Sequence, residues 1–379
     1  MKVINTKRIN DKIMEYAFVN SIHNALGIGL NAPVSIGAII FDNYDGIDRA
    51  RDFYKNKYKL NDDESKMAAM ITSVLTGYNQ LNNVPAEIMY EIVKNSKIFH
   101  KGDFDNNAYL QNIHFENQKV DRFELDHKRF EKYELFMYDE PIKNRNGIMI
   151  PRIGTFDYEF EFPLIKENNA VWMSITPSEL ISMQKPTNDA KGKVLTLECG
   201  MGCYAYNVSE KDNVESVTIV EIADEVIELF NKYILPQFKN KHKVKVIKAD
   251  AYKFMEQLED GVYDYCFADT WIGNLDVIPY LEMRKICKKF NKTKMAYWIE
   301  TSLNETMMTF VFTNIIAEYY KNVGIKIPNI NDAEDIPHDQ FKTKEYIDKL
   351  LENEEITKPE HVDYYMKVQN IITMLENKK

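Results

Sequence analysis

The spacing of apolar residues along this chain changes character twice. Over Asp62 to Leu75 they fall at Met67, Met70, Ile71, Val74 and Leu75, the spacing of one helix face, and Gly77 follows as a stop signal. Asn83-Val84-Pro85 restarts a second helix through Tyr90 and Val93, so residues 1–115 are expected to be mainly helical. From about 120 the period becomes two. Phe123 and Leu125, then Tyr133, Leu135 and Met137, then Ile148 and Ile150, then Phe156, Tyr158, Phe160 and Phe162 predict short antiparallel strands. Asn144-Arg145-Asn146-Gly147 supplies a hairpin turn between two of them. Residues 116–170 therefore read as a small antiparallel β region. Thr176-Pro177-Ser178-Glu179 is a helix start, with Thr as cap, Pro at the first helical position and Glu completing a capping box. That helix is expected to run to about Met183 and to end before Pro186.

Residues 171–325 then alternate short apolar runs with helical segments, the pattern of a parallel sheet. Strands are expected at Val194–Glu198, Val217–Glu221, Val244–Lys248, Tyr263–Asp269 and Lys294–Glu300. Helices are expected at Asp224–Tyr233, Ala251–Leu258 and Val277–Phe290, and Met307–Ile316 fits a helix or a strand, with helix preferred. The tail, 326–379, is charged and helical, with segments at Glu345–Leu351 and His361–Leu375.

Composition narrows the function classes. Of 379 residues, 45% are hydrophobic and 28% charged, a globular balance, and the net charge of -10 argues against general affinity for nucleic acid, whose phosphates need a basic surface. Lys239, Lys241, Lys243, Lys245 and Lys248 cluster locally, which a solvated loop and strand edge accounts for. Residues Met1 to Lys12 lack the apolar core of a secretory signal, and the longest apolar stretch, Gly27–Phe41, is broken by Asn31 and Pro33 and is too short for a bilayer. Cys199, Cys203, Cys266 and Cys287 form no C-x-x-C pair, which suits reduced, buried thiols in a cytoplasmic protein. The His residues lack metal-ligand spacing, so no metal site is expected. Asp42-Asn43-Tyr44-Asp45-Gly46 has a remote likeness to a calcium loop, but the spacing fails and Phe53 stands where the final Glu belongs, so a plain turn is expected.

The chemistry concentrates at strand ends. Val194-Leu195-Thr196-Leu197-Glu198-Cys199-Gly200-Met201-Gly202 ends a strand at an acid and turns on two glycines toward the next helix. The next strand ends at Glu221, about 20 residues on, where a carboxylate can accept hydrogen bonds from both hydroxyls of a ribose. An exposed turn acid before a helix is the alternative. Asp250-Ala251 ends the third strand. Asp250 can cap the following helix, take the exocyclic amine of an adenine, or do both. The fourth strand delivers Asp269 to the sheet edge where open α/β sheets bind ligands, with a solvated strand-end acid as the alternative. Trp271 and Tyr204 are candidates to line an acceptor pocket or to be core.

Taken together, Glu198-x-Gly200-x-Gly202, Glu221, Asp250-Ala251 and Tyr263-Asp264 to Asp269 resemble successive motifs of class I S-adenosylmethionine-dependent methyltransferases. The stretch Val217–Pro236 is similar in particular to the spermidine synthase branch, where a β region also precedes the nucleoside-binding domain. The resemblance covers about 170–300. It implies an α/β, Rossmann-like doubly wound sheet, here with an N-terminal helical region and a small antiparallel β region. It further implies S-adenosylmethionine as cofactor, with Glu198, Gly200 and Gly202 around its methionine part, Glu221 on the ribose and Asp250-Ala251 at the adenine. Two departures stand out. Tyr204 replaces the third glycine, and Asp269-Thr270-Trp271-Ile272-Gly273 lacks the second Asp and the Pro of the aminopropyltransferase motif.

The expected activity is methyl transfer to a small-molecule or peptide acceptor, with Asp269 orienting or deprotonating it. The alternative is aminopropyl transfer from decarboxylated S-adenosylmethionine. A nicotinamide-dependent oxidoreductase also fits Gly200-x-Gly202-x-x-Ala205, although Glu198 would repel a pyrophosphate and suits an ammonium group better. A catalytically inactive nucleoside-binding protein is the remaining reading. No nucleic acid or membrane partner is expected. The β region offers a surface for a homodimer, which nothing in the sequence fixes.

Overall fold

The computed structural model describes residues 1–31, 44–104, 107–114, 116–325 and 338–377. The chain divides into two compact units, one of Ile22–Ala268 with Asn291–Trp298, the other of Met1–Ser21, Asp269–Phe290 and Ile299–Lys379. Along the chain the strands are β1 (Lys2–Val3), β2 (Lys97–Phe99), β3 (Lys119–Val120), β4 (Phe123–Phe130), β5 (Phe136–Lys143), β6 (Met149–Phe156), β7 (Phe160–Glu167), β8 (Ala170–Ser174), β9 (Gly192–Leu197), β10 (Val214–Glu221), β11 (Val244–Lys248), β12 (Tyr265–Ala268), β13 (Lys294–Tyr297) and β14 (Glu355–Ile356).

The larger unit is organised around a five-stranded sheet of order β11-β10-β9-β12-β13, parallel throughout. The chain enters at the centre, winds to one edge, then returns to fill the other side, which is the Rossmann-like doubly wound arrangement. Val194, Leu195, Leu197, Val217, Ile219, Val220, Tyr265, Cys266 and Phe267 are buried, as strands covered on both faces require. Strand β11 is an edge. Its Lys245 and Lys248 stay exposed, Lys248 pairing with Asp224, so the lysine cluster is a solvated strand edge of the kind that discourages further pairing.

Before this sheet lies the β region, in two pieces. Strands β3-β4-β7-β8 form an antiparallel sheet, and β5 pairs antiparallel with β6 across the expected turn, where Asn144 Oδ1 accepts from the Asn146 and Ile148 amides and Gly147 takes φ +80°. A stacked aromatic core of Phe99, Phe130, Phe136, Phe156 and Phe160 fills the region. Here the structure corrects several expectations. The stretch 1–115, mainly helical as expected, also contributes two short strands, β1 and β2, the second pairing parallel with β6. The alternation at Tyr133 and Leu135 falls before β5 begins, because Tyr133 sits in a turn at φ +62° while both side chains stay buried. The helix from Pro177 breaks at Met183, but helical structure resumes over Gln184–Asp189. Pro186 lies in that first turn, where a missing N–H costs nothing. The capping box at Thr176 is half made: its Oγ1 accepts from the Glu179 amide, and the Glu179 carboxyl does not reach back. A complete box forms instead at Asn61 and Glu64, heading the helix Asp62–Gly77. The helix from Asp224 is α-helical only to Leu229, then widens into a π turn over Phe230–Ile234 that buries Phe230. The turn expected at Asp42–Gly46 lies partly outside the described residues, and from Tyr44 the chain is helical. Most of the apolar stretch Gly27–Phe41 is likewise outside them. No helix among the described residues is long and apolar enough to cross a membrane.

In the smaller unit, β1 pairs parallel with β14. The expected helix at Met307–Ile316 is the middle of a longer one, Glu300–Asn322, which buries Leu303, Met307, Val311 and Ile315 along one face. Tyr280, buried, donates to Glu300 at 2.8 Å, and Arg284 pairs with Glu300 and Glu376. The tail helix expected over His361–Leu375 is two helices, Pro359–Tyr365 and Val368–Asn377.

Candidate functional site

The C-terminal ends of β9, β10 and β11 are stitched together by backbone hydrogen bonds, and three of the expected ligand-binding segments lie there. The Glu198 amide donates to the Val220 carbonyl at 2.8 Å, and the Ala249 amide to the Glu221 carbonyl at 3.0 Å. Between them the chain turns sharply. Glu198, Gly200 and Gly202 take φ of +85°, +49° and +72°, and the turn is closed by the Gly202 amide on the Cys199 carbonyl at 2.9 Å. For two of these residues glycine removes the cost of a left-handed backbone. For Glu198 nothing does, and a strained acid at a strand end is the kind of residue that marks a functional site. Gly202 has a second reason to lack a side chain: a Cβ there would lie 2.4 Å from the Phe230 ring. Tyr204, at the place of the third glycine, is ordinary helix in Cys203–Ser209.

Glu221 is the best-organised group. It is 4% exposed. Its Oε2 accepts from the Cys199 amide at 3.0 Å, and its Oε1 from the Ile222 and Ala223 amides, each at 2.8 Å. It is therefore not an exposed turn acid. It ties the glycine turn to the end of β10. A carboxylate offers about four acceptor positions, so roughly one remains open in this arrangement, enough for one hydroxyl. Gripping both hydroxyls of a ribose requires one amide to be released.

Asp250 caps the helix Ala251–Gln257, its Oδ1 accepting from the Tyr252 amide at 2.9 Å and the Lys253 amide at 3.2 Å. Ala251 is the first residue of that helix. Asp269 directly follows Ala268 at the end of β12 and belongs to the other compact unit, so only the segments from Glu198 to Ala251 share one unit. Tyr204 and Trp271 are core residues: Tyr204 packs on Phe267 with ring centres 4.3 Å apart, and Trp271 stands edge-on to Tyr280. All four cysteines are buried and none forms a disulfide among the described residues. Burial, then the negative charge of Glu221 and Glu198, pushes the Cys199 thiol well up, and burial does the same for Cys203, so neither is a ready nucleophile.

Two residues to which the sequence pattern assigned no role at the site also belong to this neighbourhood, Glu179 through its charge on Cys203. Tyr109, fully buried, donates its hydroxyl to the Met201 carbonyl in the glycine turn at 2.5 Å. Its only sequence signal is Asn107, which caps the short helix Ala108–Asn112. Glu179, read from sequence as a capping residue, has a carboxyl pushed up to about 8 by burial.

Residues 175–275 match the family model described as the spermine/spermidine synthase domain, a span that contains every residue from Glu198 to Asp269 considered above. Among solved structures, the chain is similar to the crystal structure of spermidine synthase from Thermotoga maritima, at 16% identity over 37% of this chain and 52% of that one, with a TM-score of 0.28. It is also similar to a crystal structure of spermidine synthase in complex with the transition-state analogue AdoDATO, at 15% identity over 37% of this chain and 54% of that one, again with a TM-score of 0.28. The chain thus spans about half the length of these relatives. No curated protein matches it. The fold built around Glu221 is Rossmann-like α/β, and its stretch 175–275 is similar to the spermine/spermidine synthase domain.

Proposed function

We propose that this chain is a transferase that binds an S-adenosyl sulfonium donor and passes an alkyl group to an amine, with aminopropyl transfer from decarboxylated S-adenosylmethionine as the first reading. One observation carries it: a buried carboxylate, Glu221, fixed by three amides at the end of β10 beside a glycine turn, inside the stretch that matches the spermine/spermidine synthase domain. The donor set fits such a ligand. Glu221 supplies the acceptor that a ribose hydroxyl needs, and Glu198 supplies a carboxylate for an ammonium group. The bound donor contributes a sulfonium, which already activates the carbon attached to it. The protein's task is then to align the acceptor nitrogen and to take its proton, the role we assign to Asp269. As the new carbon–nitrogen bond forms, the carbon–sulfur bond breaks and its electron pair stays on sulfur as a neutral thioether.

Methyl transfer from S-adenosylmethionine is the second reading, and a specific observation favours it. Asp269-Thr270-Trp271-Ile272-Gly273 lacks the second acid that a dicationic acceptor would call for. Calorimetric titration with decarboxylated S-adenosylmethionine, S-adenosylmethionine, S-adenosylhomocysteine and NAD separates these. Preference for the first compound supports aminopropyl transfer, and preference for the next two supports methyl transfer. Binding of NAD alone, or of none, overturns the proposal. Glu221→Ala should weaken the preferred donor more than tenfold, and an unchanged affinity would remove Glu221 from the site.

A further inference from the structure

We propose that Tyr109, from the N-terminal region, is a positioning residue of the donor site: its hydroxyl locks the peptide between Met201 and Gly202 and so fixes the turn that faces the donor's sulfonium chain. The inference rests on the donor-binding reading above.

Rotating one peptide plane by half a turn changes ψ of the residue before it and φ of the residue after it. Glycine accepts either sign of φ at little cost, so a peptide that precedes a glycine is free to flip unless something holds it. The Met201–Gly202 peptide is in that position. On one side its N–H donates to the Cys199 carbonyl at 2.9 Å. On the other its C=O accepts from Tyr109 at 2.5 Å, in the interior. A flip would break both bonds and strand a buried carbonyl, which costs more than the bond alone. Without the hydroxyl, the local turn bond is all that opposes it.

Tyr109 is itself held firmly. Asn107 Oδ1 accepts from the Tyr109 and Leu110 amides at 3.0 and 3.2 Å. The Tyr109 ring stands edge-on to Tyr206, which lies in the helix that leaves the glycine turn. Five residues on, the His114 amide donates to Gln237 Oε1 and the His114 carbonyl accepts from Gln237 Nε2, each at 2.9 Å, so the segment 107–114 is clamped to the nucleoside-binding fold at both ends. Burial pushes the Tyr109 hydroxyl well above its ordinary range, so it remains a proton donor at any working pH.

The test compares wild type with Tyr109→Phe, which removes the hydroxyl and keeps the ring. Adenosine, S-adenosylmethionine and decarboxylated S-adenosylmethionine are titrated calorimetrically, each variant kept well below its melting temperature. The expected result is about tenfold weaker binding of the better sulfonium compound with adenosine affinity changed less than twofold, together with faster hydrogen exchange at the Gly202 amide in the free protein. A lower melting temperature with all affinity ratios and the Gly202 amide unchanged would make Tyr109 merely structural and overturn the inference. If wild type binds neither sulfonium compound, the donor reading fails and the inference falls with it, a result that differs from loss in the variant alone. Should the Phe variant not fold, Asn107→Ala removes only the cap, and the same selective loss, at about threefold, is expected; an even loss across the three ligands would again overturn the inference.

Discussion

Glu179→Gln is the change whose consequence can be worked furthest. Glu179 sits on the helix Pro177–Ser182, partly covered, and no group among the described residues hydrogen-bonds or ion-pairs with its carboxyl. Burial moves it from an ordinary 4.5 to about 8. At about 1.36 kcal/mol for each tenfold change in proton affinity, the ionised form is disfavoured by a ceiling of roughly 5 kcal/mol. The side chain keeps some solvent contact, and effective dielectric constants within proteins are well above the dry value, so about 2 kcal/mol is the expected size. The sign follows from proton counts. Between about pH 4.5 and pH 8 the native state holds a proton that the unfolded state has lost, so stability falls as pH rises through that window. The stability associated with the neutral acid is complete below the unfolded value and gone above the folded one. Gln is neutral throughout. Urea unfolding of both proteins at steps from pH 4.5 to 9 should therefore show nearly equal stability at the acid end and the variant about 2 kcal/mol more stable at the alkaline end. Parallel curves across the window would refute the reasoning.

Gly202→Ala combines a left-handed backbone with a Cβ 2.4 Å from the Phe230 ring, and should cost about 3 kcal/mol in chemical unfolding; a loss under 0.5 kcal/mol would mean that the turn relaxes freely. Tyr204→Phe removes a buried hydroxyl that has no hydrogen-bond partner among the described residues, and should leave stability unchanged or raise it by about 1 kcal/mol. Clear destabilisation in a thermal melt would show that the hydroxyl has a partner after all. His100 lies between Asp157, at 2.7 Å, and Asp63, at 3.0 Å, and these two carboxylates raise its proton affinity above the ordinary 6.5. Its contribution is full below the unfolded value and is lost as pH rises through the folded one. With the imidazole half exposed the effect is small, so His100→Gln should remove a shallow alkaline decline in stability, and an unchanged pH profile would count against the pair.

The parts of this molecule that its sequence reveals are those whose causes are local. Strands β9, β10 and β12 are buried along most of their length and carry apolar runs there, and the acids Glu198 and Glu221 are legible because each stands at the end of such a run, while Asp250 is legible as a cap after the partly exposed edge strand β11. The turn at Asn144–Gly147 is legible for the same reason, since its hydrogen bonds close within five residues. Alternation misleads where burial continues through a turn, as at Tyr133, because the pattern records which side chains are covered and not which backbone is extended. Contacts made at long range leave no such mark. Strand β2 is three residues long and is defined by β6, more than fifty residues away, and β1 is a strand only because β14 lies beside it.

The same division runs through the candidate site. Sequence identifies Glu221 as an acid after a strand, but its commitment to three amides depends on a turn 22 residues earlier, and that commitment changes what it can do. A carboxylate with one open position is a selective acceptor as well as a strut, so removing it should loosen the turn even where no ligand is bound. Tyr109 reaches the turn from 92 residues away, in a segment whose own pattern is polar and short. Residues that contact a nucleoside can be placed by strand ends and glycines. Residues that hold those strand ends in position are set by packing, and they come here from the region preceding the sheet. On this argument the N-terminal region is part of what shapes the site, and its loss should alter ligand preference before it unfolds the sheet.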